Sequence, residues 1–497
     1  MRFPRSSGIL LHPTSLPGHF GVGDLGPEAF RFADFLASSG QTIWQMLPLG
    51  PTGYGDSPYQ LFSAFAGNPL LISLESLVKD GRLQSEDLAD APAFPNGEVD
   101  YGAVIAWKYP LLRYAFERFQ NSASIADREA CRQFSLKHAA WLDSFADFMA
   151  LKEANGVSKL WPEWNINETN GLEAEVACHK YWQFEFFRQW DRLRTYCHER
   201  KIRVMGDIPI YVAHDSADVW SNPELFHLDI RGWPTQVAGV PPDYFSATGQ
   251  LWGNPIYRWD EMERSGFAWW IERFRTSFNL LDMVRLDHFR GFEAYWAVPG
   301  GEPTAEHGDW VKAPGTKLFD AVQNALGQLA IVAENLGVIT PEVEAMRKRF
   351  NFPGMSVLQF AFGKDPQAPD FKPHNYPRDV VAYTGTHDND TAIGWWKSTG
   401  ENDSTRTADD VREEKDYALR YLQSDGREMN WVLIRELMHS VASTVIFPMQ
   451  DVLGLGSEAR MNTPSVPSGN WKWRMRPDQL TPALAGRLRH LTSLYER

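Results

Sequence analysis

Four acidic residues each follow a short apolar run: Asp207 in VMGDIPIYV, Asp287 in VRLDHFRGF, Glu334 in IVAENLG and Asp388 in YTGTHDND. One acid in such a position usually caps a helix or solubilises a loop. Four, each ending a different run, point to a shared site. Two facing carboxylates are what glycosidic bond chemistry needs, one ionised to attack the anomeric carbon and one holding a proton for the leaving oxygen. Arg285 stands two residues before Asp287, so strand alternation turns both side chains to one face. A cation there favours the ionised form of Asp287, as a nucleophile requires, and it serves equally as a structural ion pair. Glu334 follows apolar residues 331–333 with no cation beside it in the sequence. A less polar setting raises a carboxyl pKa, which fits a general acid.

Such carboxylates need a scaffold that brings separate runs to one rim. Eight brief apolar runs, at residues 9–11, 42–48, 202–207, 283–287, 329–334, 355–362, 380–388 and 444–450, read as strands buried on both faces. Helical patterns lie between them, at 28–38, 181–200, 267–278, 315–326, 341–349 and 430–441. The alternation predicts an α/β fold, a (β/α)₈ barrel with large helical and loop insertions, whose active residues come from the C-terminal ends of strands. The stretch between the second and third strands is far longer than an ordinary connection. It carries helical patterns at 70–90, 108–119 and 128–150.

We therefore expect a first barrel part at 1–55, an inserted, mostly helical subdomain at 56–195, and the rest of the barrel at 196–497. Within that last part, residues 220–260, rich in Pro, Gly, Asp and aromatics, read as a substrate-binding loop region. No helix is expected at 363–378, and 406–421 reads as a charge-rich helix with a solvated face.

Composition narrows the partners. The 497 residues carry 49 basic and 63 acidic side chains, a formal charge of −14, which repels rather than steers a polyanion, so nucleic acid is not expected. No apolar run approaches a membrane span, and the apolar stretch near the N-terminus is too short for a signal peptide. Cys131, Cys178 and Cys197 form no CxxC, which suits a reducing cytosol. The 20 Trp, 16 Tyr and 30 Phe offer flat rings for the apolar faces of sugars, although a large core would use them as readily.

Other motifs fail. Gly21 to Gly26 spells GxGxxG, but HPTSLPGHF separates it from the preceding strand and no acid follows at the required distance, so it reads as a turn. No metal-ligand spacing supports the acids and histidines around His387, and His12 and His288 read as hydrogen-bonding residues. Neither a metal nor a cofactor is expected.

The blocks GILLHPTSLPG, WQMLPLGPTGYGDSPYQ, GDIPIYV, PPDYFSATGQLWGNPIYRW, VRLDHFRGF, AENLG, TGTHDND and NWKWR follow one another along nearly the whole chain. In these blocks the sequence resembles the amylomaltases, the 4-α-glucanotransferases of glycoside hydrolase family 77. The resemblance implies cytosolic processing of maltodextrins, with α-1,4-glucans as donors and glucose or a glucan as acceptor, by a monomer or homodimer. By motif, Asp287 would be the nucleophile, Glu334 the acid and base, and Asp388 the residue that holds the donor sugar in its distorted state. Arg285 and His387 would line the donor subsite, Asp207 would support it, and Tyr59 would stack on the reacting glucose. Asp243, Tyr244, Phe245, Gln250 and Trp252 would form a cover over the acceptor side. Tyr54 and Tyr101 match positions associated with a second, non-catalytic glucan contact.

The first block begins at Gly8 and too few residues follow the eighth strand for a C-terminal β-sandwich, so the compact form is expected. The segment MNTPSVPSGNWKWR reads as a Pro/Gly loop able to close over the site. A retaining site would separate the Asp287 and Glu334 carboxyls by about 5–5.5 Å. An α-glucan hydrolase would use the same carboxylates, because only the attacking acceptor differs. A non-catalytic maltodextrin-binding protein would keep the aromatics without needing acid, nucleophile and Arg285 together. A metal-dependent hydrolase on the same barrel is a more distant alternative.

Overall fold

The computed structural model describes residues 3–242, 248–400 and 406–497. Eight parallel strands form the central sheet: β1 (Ser6–Leu10), β2 (Ile43–Gln45), β3 (Arg203–Ile208), β4 (Met283–Leu286), β5 (Ile331–Ala333), β6 (Gly354–Val357), β7 (Val380–Tyr383) and β8 (Thr444–Pro448). Their order around the sheet is β6-β7-β8-β1-β2-β3-β4-β5. The last gap is bridged where Ala333 N donates to Pro353 O at 2.8 Å and Met355 N to Asn335 Oδ1 at 2.8 Å. The result is a nearly closed barrel, and each of the eight runs expected from the sequence overlaps one of its strands. These strands are covered on both faces, which explains why they read as short unbroken apolar runs. Gly8 opens the first block because a Cβ there would lie 2.5 Å from Ile43 O on the neighbouring strand.

Helices return the chain on the outside. Pro27–Ser38 starts with Pro at its first turn and buries Ala29, Phe32, Ala33 and Leu36 against the barrel. Gly315–Leu326 and Pro341–Arg349 follow the sequence reading, and 363–378 holds only two 3₁₀ turns. Between β2 and β3 lie three long helices, Tyr101–Ser122, Ile125–Asn155 and Glu173–Glu199. Asp100 and Ser124 cap the first two, accepting from Ala103 N and Asp127 N. Phe65, Trp141, Phe145, Phe148 and Trp164 build a second core there.

Two expectations need correction. Residues 220–260 are not simply a loop: Gln236–Val240 and Gln250–Pro255 join Ala294–Pro299 and Asp309–Lys312 in a four-stranded antiparallel sheet. Its strands are short and partly exposed, so they carry little apolar periodicity. The pattern at 70–90 resolves into one six-residue helix, Leu74–Lys79, flanked by 3₁₀ turns, because the chain turns at Gly81 with φ +70°. The charge-rich segment forms the helix Ala408–Leu422, which keeps a solvated face and buries Val411, Glu414 and Ala418 on the other, with Glu414 accepting from Trp395 Nε1 at 3.1 Å. After β8 the described chain is helix, turn and loop, with Pro482–Leu494 packing beside the first helix.

Candidate active site

The strand register sets the site. Asp207 in β3 pairs with Arg285 in β4, and Arg285 pairs with Val332 in β5. One step beyond the strands the same ladder continues, with Asp287 N donating to Ile208 O and Glu334 N to Leu286 O, both at 3.0 Å. Asp287 and Glu334 therefore leave adjacent strand ends at one level.

Arg285 links the acids. Its Nη1 donates to Asp207 Oδ2 at 2.6 Å and its Nη2 lies 2.8 Å from Asp287 Oδ1. Asp207 and Arg285 are buried, whereas Asp287 keeps 27% of its side chain exposed toward the cleft. Burial opposes the charge on Arg285, but Asp207 and Asp287 outweigh it and raise its pKa. Burial raises the Asp207 carboxyl against the pull of Arg285. Asp207 is thus the inner anchor of the guanidinium, and Asp287 the acid it presents.

Glu334 sits differently. Its two oxygens accept from His288 N at 2.9 Å and Leu336 N at 2.8 Å, which fixes the carboxyl plane. Burial pushes its pKa up to about 7, against the pull of Arg285 and with a further push from the charge on Asp287. Two carboxyls on neighbouring strands thereby meet different environments, the arrangement that separates an attacking group from a proton donor.

The opposite wall comes from the loop after β7. Asp388 lies five residues beyond that strand, not directly at its end. Its Oδ2 is 3.4 Å from His387 Nε2, and its Oδ1 accepts from Asn462 Nδ2 at 2.6 Å. Arg460 Nη2 donates to the Asp388 carbonyl at 2.7 Å. The His387 ring stacks on Tyr59, centroids 5.1 Å apart and planes at 18°, and Tyr59 OH donates to Asp207 Oδ2 at 2.8 Å. Tyr59, Asp207, Arg285, Asp287, His387 and Asp388 are thus joined by direct contacts, with Glu334 level with Asp287 on the adjoining strand end.

On the other flank Trp252 sets its ring edge-on to His288, 4.8 Å away at 87°, and its Nε1 donates to Gln250 Oε1 at 3.3 Å. Asp243, Tyr244 and Phe245 lie outside the described residues. Tyr54 is 78% exposed, but Tyr101 does not join it at the surface. Tyr101 is buried, and its hydroxyl donates to the Trp471 carbonyl at 3.0 Å. A small pocket borders His12, His387, Gln450 and Arg460, and neither Asp287 nor Glu334 lines it. Among the described residues no group of three or more His, Cys, Asp or Glu is arranged to hold a metal ion.

Asn462, Trp471 and the backbone of His288 were not singled out from the sequence. The first two lie in the Pro/Gly segment expected to close over the site, which was the available signal. His288, whose N–H donates to Glu334, adopts φ +47°, a conformation that local sequence does not announce.

Comparisons with known proteins agree with this geometry. The family model described as 4-alpha-glucanotransferase, glycoside hydrolase family 77, matches residues 11–481. The chain is 52% identical to the 4-alpha-glucanotransferase of Thermus thermophilus over 516 aligned positions, covering 100% of both chains. It is 51% identical to that of a Synechocystis species, covering 99% of this chain and 98% of the relative. The amylomaltase from Streptococcus agalactiae, solved in complex with acarbose, superposes with a TM-score of 0.92 at 39% identity, covering 99% of each chain. The barrel, the paired strand-end carboxylates and these likenesses together assign the chain to glycoside hydrolase family 77, the 4-alpha-glucanotransferases.

Proposed function

We propose that this chain, a 4-alpha-glucanotransferase by family, transfers α-1,4-glucan segments by double displacement with retention. The observation that carries the reading is the contrast between two acids on adjoining strand ends: Asp287 is ion-paired to Arg285 at 2.8 Å, and Glu334 is pushed up to about 7. In the first half-reaction an Asp287 oxygen attacks the anomeric carbon of the donor. The glycosidic bond breaks, and the Glu334 proton passes to the departing 4-oxygen. In the second, the Glu334 carboxylate takes the proton of an incoming glucan or glucose 4-hydroxyl, whose oxygen attacks the same carbon and releases Asp287.

Asp388, fixed by Asn462, grips the donor sugar's hydroxyls and favours the flattened, positively charged transition state. Arg285, His387 and Tyr59 wall the donor subsite and Asp207 anchors it from below. Trp252 and Gln250 flank the acceptor side. Tyr54 offers an open ring for a second glucan contact, and Tyr101 acts there only by supporting the loop beside it. We take 56–195 as a helical subdomain beside the cleft, with 1–55 and 196–497 as the barrel. Three free cysteines support a reducing, cytosolic setting, and we take maltodextrins as the substrates. No described helix is long and apolar enough to cross a membrane.

Incubation with maltotriose, with products resolved over time, tests the reading. A ladder of longer malto-oligosaccharides with free glucose supports transfer. Glucose and maltose alone mean that water is the acceptor and the enzyme is a hydrolase with the same site. Binding without turnover would overturn the enzymatic reading.

A further inference from the structure

Behind the stack of Tyr59 and His387 stands a third ring, Trp471. Its centroid is 5.8 Å from Tyr59 and 5.9 Å from His387, with planes inclined at 42° and 38°. The indole is buried, and its backbone sits at φ +65°, the left-handed region that side chains other than glycine rarely adopt. A tryptophan there is strained, and such strain persists only where the surroundings over-determine it. Here they do. Trp471 N donates to Met461 O at 2.7 Å, its carbonyl accepts from Tyr101 OH at 3.0 Å, and the next residues are clamped by Val99 N to Lys472 O and Arg474 N to Gly97 O, both at 2.8 Å.

The bond from Trp471 to Met461 closes the base of a loop, residues 461–471. The first side chain inside that loop is Asn462, whose Nδ2 holds Asp388 and whose N donates to His387 O at 3.1 Å. One residue therefore touches both halves of the donor wall: its ring backs His387 and Tyr59, and its backbone fixes the span that brings Asn462 to Asp388. We infer that Trp471 is a positioning residue for the transfer reaction, a strained pin that sets the tilt of the His387–Tyr59 stack and the reach of Asn462.

The inference rests on the assignment of His387, Tyr59 and Asp388 to the donor subsite. Positioning of this kind acts on chemistry more than on binding, because a small misplacement of the reacting groups costs far more in rate than in affinity. Two variants separate ring from backbone. Trp471→Asn keeps a residue that tolerates the left-handed conformation and removes the ring, whereas Trp471→Phe keeps a smaller ring.

The test is maltotriose transfer, with kcat and KM measured for each variant. Calorimetric binding of maltotriose is measured in an Asp287→Asn background, where turnover cannot interfere. We expect kcat to fall about 100-fold in Trp471→Asn and about 5- to 20-fold in Trp471→Phe, with KM and maltotriose affinity changed less than about 3-fold. Trp471→Phe with kcat within about 2-fold of the parent would overturn the inference, as would a fall confined to KM. So would a lower melting temperature with unchanged kcat per folded molecule, which is a purely structural role. If Trp471→Asn does not fold, the kcat of Trp471→Phe decides alone. Absence of transfer by the parent protein would instead overturn the functional reading itself.

Discussion

Asp287 is held by Arg285, Nη2 to Oδ1 at 2.8 Å, while Nη1 of the same guanidinium lies 2.6 Å from the buried Asp207. One planar cation thus spans an inner and an outer carboxylate, which a point charge on a flexible stem cannot do. Arg285→Lys should keep the fold and lose about 100-fold or more in kcat, since Lys satisfies Asp207 or Asp287 but not both. Arg285→Ala should also unfold more easily, by about 3–5 kcal/mol, because it leaves the buried Asp207 without its counter-ion, with only the Tyr59 hydroxyl as partner. Steady-state kinetics and thermal melts of the two variants check this. Equal activity in Arg285→Lys would contradict the shared-cation argument.

In the proposed mechanism Glu334 carries a proton at the start of the reaction, and its pKa is pushed up to about 7 by burial and by Asp287. A raised carboxyl pKa means the protonated form persists to higher pH than in a free side chain and is lost as pH rises through about 7. The rate of the first half-reaction should therefore fall on the alkaline side with an apparent pKa near 7. Donors with a leaving group that needs no proton, such as a glycosyl fluoride, should lose that alkaline limb. Persistence of the limb with the fluoride would assign it to another group.

Asn462 donates to Asp388 Oδ1 at 2.6 Å, and Asp388 is otherwise partly open to solvent. Asn462→Ala should lower kcat by about 10-fold with little change in stability, since it frees Asp388 to rotate. Asn462→Asp should be worse than Ala, because it puts a like charge against Asp388. An Ala variant at parental rate would remove Asn462 from the account.

Asp451 is fully buried and ties the two ends of the loop that carries His387 and Asp388. Its carboxylate accepts from Thr384 Oγ1 at 2.5 Å and from Ala392 N at 2.7 Å. Asp451→Ala leaves both donors without their partner and should cost about 2–4 kcal/mol, read as a shift in the chemical denaturation midpoint. A shift below about 1 kcal/mol would show that the loop is held elsewhere.

Much of this was legible in the residues, for a physical reason. Strands buried on both faces must be apolar, so β1 through β8 announced themselves, and a charge directly after such a run has to leave at the rim, as Asp287 and Glu334 do. The alternation that set Arg285 beside Asp287 is local geometry, and the ion pair followed. The antiparallel sheet was hidden because its central pairing, 236–240 with 294–299, is distant in sequence, and its outer strand 309–312 is largely exposed. Trp471 was hidden for the same reason. Nothing next to it in the chain indicates that Tyr59 and His387 lie against its ring, or that its φ is +65°. Tyr101, read by motif as matching a glucan-contact position, is buried and donates to the Trp471 carbonyl, a contact between residues 370 apart that only folding creates.

The central claim is a covalent glycosyl ester on Asp287. Glu334→Gln, which can no longer serve as acid or base, should still react with α-maltotriosyl fluoride, whose leaving group needs no proton, but should be slow to pass the sugar on. Mass spectrometry of the quenched, protease-digested protein should then find a maltotriosyl increment on the peptide containing VRLDHFRGF, at Asp287. The same increment on another carboxylate, or fluoride release of inverted stereochemistry with no adduct at any time, would contradict the account.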